Sequence, residues 1–207
     1  MYNPLVFDLG YNQGNYTHQI LNKYPGAKII GVEGHPMYFG KTKPINVELI
    51  QAVVSNVGGV EIPFYICDSN PGINSINPEW INTIRHKHFF DRTKRMDMVP
   101  CITIDELITK YGIPDIIKMD IEGAESIALE ALSCKCGLIT FEWSEEFFHD
   151  ALKCITKLKK LGYTLFSYTE QSDQFIMDLD YKPWENLKIY ENIIPDRKER
   201  WGMIYAK

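Results

Sequence analysis

Short apolar runs alternate with helical spacing along most of this 207-residue chain. Runs at 5–10, 27–33, 47–54, 115–121, 138–143 and 163–168 are brief and bounded by turn residues, which predicts strands. Helical periodicity fills the intervals at 14–23, 36–43, 104–111, 124–132 and 145–161. The punctuation agrees. Tyr24-Pro25-Gly26 stops the first helix, Pro36 sits in the first turn of the second, and Thr103-x-x-Glu106 forms a capping box ahead of the third. Gly58-Gly59 predicts a hairpin from the third strand into 60–66. From 67 to 98 the pattern dissolves into Asn, Pro, Gly and charge, so a variable lid or acceptor-binding loop is expected there. Near the end, either 175–179 or 203–206 supplies a last, antiparallel strand, with the Pro- and Trp-rich stretch at 170–202 as an insertion.

Strands that alternate with helices pair in parallel through right-handed crossovers. The expected fold class is therefore α/β: a Rossmann-like open sheet, mostly parallel with one antiparallel strand, with helices on both faces. No repeat or linker divides the chain, and residues 1–207 are read as one domain.

Charge and cysteine usage narrow the partners. A net charge of −5 argues against nucleic acid, whose partners are usually basic. No apolar run approaches the ~20 residues of a membrane span. The first strand begins at once, leaving no room for a signal peptide. Five scattered cysteines suggest free thiols in a reducing compartment, so the expected location is cytoplasmic.

The richest segment is Val6-Phe7-Asp8-Leu9-Gly10-Tyr11-Asn12-Gln13-Gly14-Asn15-Tyr16-Thr17. It reads as a buried strand, an acid, a glycine-punctuated turn and a helix start. Such turns hold nucleotide-like ligands because glycine lets backbone N–H groups come close. Asp8-x-Gly10-x-x-x-Gly14 is not G-x-G-x-x-G, since Asn12 stands where the second glycine would be. A carboxylate there would repel a dinucleotide pyrophosphate and suit the cationic S-adenosylmethionine. Glu33 ends the second strand, where an acid can accept both hydroxyls of a ribose.

The second informative segment is Lys118-Met119-Asp120-Ile121-Glu122-Gly123-Ala124-Glu125. Strand alternation puts Lys118, Asp120 and Glu122 on one side. A lysine inside an apolar strand needs a partner, and Asp8 and Glu142 are the candidates on adjacent strands. Asp120 falls at the strand's end, where a reactive methyl would be presented.

These two segments, with the Val32-Glu33-Gly34-His35-Pro36 turn and Thr103-Ile104-Asp105-Glu106-Leu107 ahead of Pro114-Asp115, resemble the FkbM family over residues 5–143. The resemblance implies a class I methyltransferase with a seven-stranded sheet, dependent on S-adenosylmethionine. It also implies O-methylation of hydroxyls on sugars or on small molecules that bear them, hence a small-molecule or glycan acceptor. Carried over, Asp8, Gly10, Asn12 and Gly14 hold the methionine end of the donor, Glu33 the ribose, and Gln51 and Ala52 the adenine. Asp120 and Glu142 line the reaction centre. Asp120 is the first choice of general base, Glu142 the second and His149 the third, with Lys118 organising the carboxylates. The chain departs from the pattern at Tyr11 and Gly34, where Ala and Pro are more usual. Tyr11 is expected to narrow the donor pocket or touch the acceptor.

Other signals are weaker. The basic cluster from Arg85 to Arg95 would serve an anionic acceptor or RNA, the setting of the alternative 2′-O-methyltransferase reading. A non-catalytic donor-binding protein is the other alternative. Cys134-x-Cys136 lacks zinc-ligand spacing. Asp120 and Glu142 are two carboxylates without a clear third ligand, and no metal is expected.

Overall fold

The computed structural model describes residues 2–39, 43–83, 86–172, 174, 176, 179–189 and 200–207. In chain order the elements are β1 (Leu5–Leu9), α1 (Asn15–Lys23), β2 (Lys28–Glu33), β3 (Val47–Gln51), β4 (Val53–Val54), β5 (Glu61–Cys67), α2 (Pro78–Ile81), α3 (Lys87–Thr93), β6 (Lys94–Ile102) and α4 (Ile104–Tyr111). They continue as β7 (Ile116–Met119), α5 (Glu125–Glu130), β8 (Leu138–Ser144), α6 (Phe148–Lys160), β9 (Phe166–Tyr168) and β10 (Trp201–Ala206).

Alternation within the strands builds two apolar layers. Phe7 and Leu9 of β1 face Ile117, Met119, Ile139 and Phe141, and α4, α5 and α6 cover that side. Val6 points the other way, where α1 lays Tyr16 and Ile20 over Ile29 and Ile116. The resulting sheet has seven strands in the order β3-β2-β1-β7-β8-β10-β9. The first five pair in parallel, and β10 runs antiparallel to both of its neighbours, β8 and β9. This is the expected open sheet with one reversed strand. Of the two candidates for that strand, the one containing 203–206 forms it; Phe175, Met177 and Asp178 of the other lie outside the described residues.

The expected hairpin is not formed. The run at 47–54 divides at Ala52, whose N–H donates to Glu33 O at 3.0 Å, and the chain leaves for a second, three-stranded sheet ordered β4-β6-β5. There β5 pairs antiparallel with β6 over seven registered pairs, while β4 runs parallel to β6. Strand β6 lies partly in the stretch read as irregular. Its pattern is disguised because Met96 and Met98 face outward at 52 % exposure and Pro100 interrupts it, while Val99 and Cys101 turn inward.

Described residues elsewhere in 67–98 build an apolar cluster of Cys67, Ile73, Trp80, Ile81 and Phe90, joined by Phe147; residues 84 and 85 lie outside the described residues. The expected helix at 36–43 is a single 3-10 turn, Pro36–Tyr38; residues 40–42 lie outside the described residues. In the stretch at 170–202, Trp184, Leu187 and Ile189 join the main core, and Lys182 bridges to Phe166 of β9. Residues 190–199 lie outside the described residues. No helix among the described residues is long and apolar enough to cross a membrane.

Candidate active site

The site is built where β1, β2 and β7 end. After β1 the chain takes left-handed backbone at Gly10 (φ +79°), Asn12 (φ +49°) and Gly14 (φ +79°). Gly10 N and Tyr11 N both donate to Val32 O at 3.0 Å, and Gly14 N donates to Tyr11 O at 2.8 Å, which folds the turn across the end of β2. At Gly10 no side chain fits: a Cβ would lie 1.9 Å from Asp120 O. The Tyr11 ring is buried and packs against two glycines. Cβ atoms at Gly14 and Gly31 would lie 2.5 and 2.6 Å from its atoms. At the neighbouring departure, a side chain on Gly34 would strike Val53 and Phe64.

Beneath the turn lies a buried charge cluster. Register sets Asp8 beside Lys118 on β7. The Lys118 ammonium is 3.4 Å from Asp8 Oδ1 and 3.6 Å from Asp120 Oδ2, and it donates to Gly10 O at 2.8 Å. Thr17 Oγ1 donates to the other Asp8 oxygen at 2.7 Å. Burial alone would lower the Lys118 ammonium, but Asp120 and Asp8 outweigh it and push it up to about 12. The lysine is therefore charged and fully committed inside the fold.

The second turn follows β7. Asp120 N donates to Leu9 O at 3.1 Å, and the chain then goes left-handed at Glu122 (φ +58°) and Gly123 (φ +79°). Buried Glu125 accepts from Ile121 N at 2.9 Å. Burial, reinforced by Asp150, pushes the Glu125 carboxyl up to about 8. Carboxylate oxygens of Asp120, Glu122 and Glu142 come within 4.8 Å of one another. The expectation of no metal rested on a missing third ligand, and Glu122 is a carboxylate in that place.

Between the turns opens a cleft of about 930 Å³, part of it exposed to solvent. One end is apolar, formed by Val32, Ala52, Val53 and Phe64, with Glu33 at its edge. Glu33 accepts from Asn12 N at 2.9 Å and His35 N at 2.7 Å. Burial raises its carboxyl above the ordinary range, while those two N–H groups oppose the shift. The other end carries Lys118, Asp120 and Glu122; the rim carries Asn15 and Gln19, and buried Asn74 also lines the cleft.

Gly10, Asn12, Glu33, Ala52, Lys118 and Asp120 thus line the cleft as the sequence suggested. Five other candidates do not. Asp8 is fully buried below the turn, where it pairs with Lys118 and does not itself line the cleft. Gly14 faces the Tyr11 ring, and its carbonyl accepts from His18 N. Gln51 is exposed at the end of β3. Glu142 meets the cleft's carboxylates from β8 without lining the cleft itself. His149 is on α6, half exposed, with Nε2 3.8 Å from Glu79, and does not line the cleft.

Asn74, Ser75 and Asn77 were missed. Asn74 lines the cleft, while Ser75 and Asn77 hydrogen-bond to the turn after β7. The signal was the run of amides and hydroxyls in Asn70-Pro71-Gly72-Ile73-Asn74-Ser75-Ile76-Asn77, which composition alone assigns to a loop.

A sheet of this order with a glycine turn, a strand-end glutamate and a cleft between them defines a class I methyltransferase. The chain belongs to the FkbM methyltransferase family: the family profile described as "Methyltransferase FkbM domain" matches residues 8–165. S-adenosylmethionine is accordingly its methyl donor. The fold is similar to that of methyltransferase FkbM from Methylobacillus flagellatus, with a TM-score of 0.55 and 15% identity over 99% of this chain. This chain spans 44% of that protein's length. Precorrin-6y C5,15-methyltransferase from Geobacter metallireducens aligns with a TM-score of 0.48 and 11% identity, over 99% of this chain and 80% of that one. A sequence search of curated proteins gives no match.

The residues present fit such a donor. Asn12 Oδ1 is shielded from solvent, has no hydrogen-bond partner and belongs to a residue lining the cleft. Asp120 and Glu122 offer negative charge to a sulfonium and an ammonium, and the apolar end suits a purine.

Proposed function

We propose that this chain transfers a methyl group from S-adenosylmethionine to a hydroxyl of a sugar or of a small molecule that bears one. The observation that carries the reading is Asp120. It stands past the end of β7, partly exposed at the polar end of the cleft, with Lys118 3.6 Å behind it. When bound, the donor supplies an electrophilic methyl on a sulfonium. The chain's own part is to hold both reactants in line and to receive a proton. Glu33 accepts the ribose hydroxyls, Val53 and Phe64 flank the adenine, and Gly10 and Asn12 bring backbone close to the methionine end. Asp120 takes the acceptor's proton, and Lys118 keeps that carboxylate oriented until it does.

A hydroxylated, uncharged acceptor is supported by the rim. Asn15 and Gln19 carry amides, which both donate and accept as hydroxyls require. The cation in the cleft, Lys118, is already engaged. The basic cluster does not favour RNA. Lys87 pairs with Asp91 at 3.0 Å and Arg95 with Asp97 at 3.2 Å, and no described residue of the cluster lines the cleft. A cytoplasmic location accords with five cysteines of which none forms a disulfide.

The test is calorimetric titration with S-adenosylhomocysteine, followed by transfer of labelled methyl from the donor to a panel of sugar acceptors. Asp120→Asn is expected to lower turnover by about 10²–10⁴-fold while S-adenosylhomocysteine affinity changes far less. Unchanged turnover would remove Asp120 from the mechanism. Transfer only to amines or carbon acids would overturn the hydroxyl reading.

A further inference from the structure

The turn that presents Asp120 and Glu122 does not hold itself. Glu122 occupies left-handed backbone, which is strained for a residue with a Cβ and persists only where the surroundings enforce it. The enforcing groups come from the segment between β5 and α2. Ser75 Oγ donates to Glu122 O at 2.6 Å, and Asn77 Nδ2 donates to Gly123 O at 2.5 Å. Both side chains are more than nine-tenths buried. The Trp80 ring lies against Gly123 so closely that a Cβ there would be 2.7 Å from it.

The clamp is itself anchored. Ser75 exchanges two backbone hydrogen bonds with Tyr65 of β5, at 2.8 and 3.1 Å, and its Oγ also accepts from Asn77 N at 2.9 Å. Asn74 Oδ1 accepts from Cys67 N at 2.8 Å, and Asn77 Oδ1 accepts from Glu79 N at 2.9 Å to cap α2. The small second sheet is thus rigidly tied to the turn's carbonyls.

We infer that Ser75 and Asn77 are positioning residues: by fixing the carbonyls of Glu122 and Gly123 they aim the Asp120 and Glu122 carboxylates at the methionine half of the donor. The adenosine half is assigned to side chains with which those of Ser75 and Asn77 make no hydrogen bond, namely Glu33 and the apolar pair Val53 and Phe64. The two halves of the ligand should therefore respond differently to the clamp. This inference rests on the donor site proposed above.

The experiment titrates the full chain with S-adenosylhomocysteine and, separately, with adenosine. Asn77→Asp keeps the acceptor that caps α2 but sets a carboxylate oxygen against the Gly123 carbonyl. Ser75→Ala removes the donor to Glu122 O and the acceptor for Asn77 N while Tyr65 still holds the backbone, and it serves should Asn77→Asp not fold. Each variant is expected to bind S-adenosylhomocysteine about tenfold more weakly, since losing a buried hydrogen-bond partner leaves the other unsatisfied. Adenosine affinity is expected to stay within about twofold of the parent, because its contacts are untouched. Equal weakening of both ligands, or no change in either, overturns the inference. If the parent chain itself binds no S-adenosylhomocysteine, the donor site fails and the inference falls with it.

Discussion

The turn after β1 and the turn after β7 share a plan: an aspartate, then a non-glycine residue in left-handed backbone (Asn12 or Glu122) and a left-handed glycine just beyond it (Gly14 or Gly123). They differ in where the aspartate goes. The Asp8 side chain is fully buried, while that of Asp120 retains 29% of its exposure. They differ also in what holds them. The first turn is closed mainly by backbone groups, Gly10 N and Tyr11 N on Val32 O and Gly14 N on Tyr11 O, with Glu33 on Asn12 N and Lys118 on Gly10 O beside them. The second is closed largely by side chains, those of Ser75, Asn77 and Glu125. A turn closed by its own backbone and the adjoining strand is a fixed cradle. One closed by distant side chains can be tuned without changing its sequence, and it carries the carboxylates that do the chemistry.

Lys118 joins the two turns, touching Gly10 O, Asp8 and Asp120 at once, and breaking it should have the largest effect. Lys118→Met strands a buried carboxylate at Asp8 and is expected to lower the unfolding free energy by about 3–5 kcal/mol. Urea denaturation measures this. Adding Asp8→Asn should recover much of the loss, because the stranded charge is gone. A single variant as stable as the parent would mean that the turns are joined some other way.

The same contrast explains what could be read from the chain beforehand. The first turn was legible because its determinants are local: glycines at fixed offsets and a strand-end glutamate after β2. The acids of the second were legible too, but their clamp comes from Ser75, 47 residues from Glu122, and no local pattern announces it. Asp8 was misplaced for a geometric reason. Both aspartates sit at carboxyl ends of neighbouring strands; the sequence offered Asp8 or Glu142 as the partner of Lys118, and register sets Asp8 beside it inside the sheet while Asp120 lies one residue past β7. Strand β6 was missed because its outward face is apolar and its inward face is short. His149 was misjudged because helical spacing does not say which end of a helix meets the cleft.

A second break acts on the side-chain-held turn alone and works through pH. The folded Glu125 carboxyl is raised from an ordinary 4.5 to about 8, chiefly by burial. Between those values the folded chain keeps a proton that the unfolded chain has released, so stability falls as pH rises across that window. Each unit of such a shift is worth about 1.4 kcal/mol. Glu125→Gln cannot titrate, yet its Oε1 can still accept from Ile121 N. Melting temperatures of the two chains should agree near pH 4 and diverge by several degrees at pH 8.5, with the variant the more stable. Parallel profiles would show that Glu125 is not buried as a neutral acid.

The smallest expected effect sharpens the comparison by touching the clamp's scaffold from outside. His149 on α6 lies 3.8 Å from Glu79 in the first turn of α2, the helix that Asn77 caps. Both side chains are more than half exposed, and contacts of that kind contribute little. His149→Ala should therefore change stability by no more than about 0.5 kcal/mol. S-adenosylhomocysteine affinity should stay at the parent value, in contrast to Asn77→Asp. If His149→Ala weakened the ligand as much as Asn77→Asp does, α2 would be held by its surface pairing, and the buried hydrogen bonds to Glu122 and Gly123 would not be what fixes the turn.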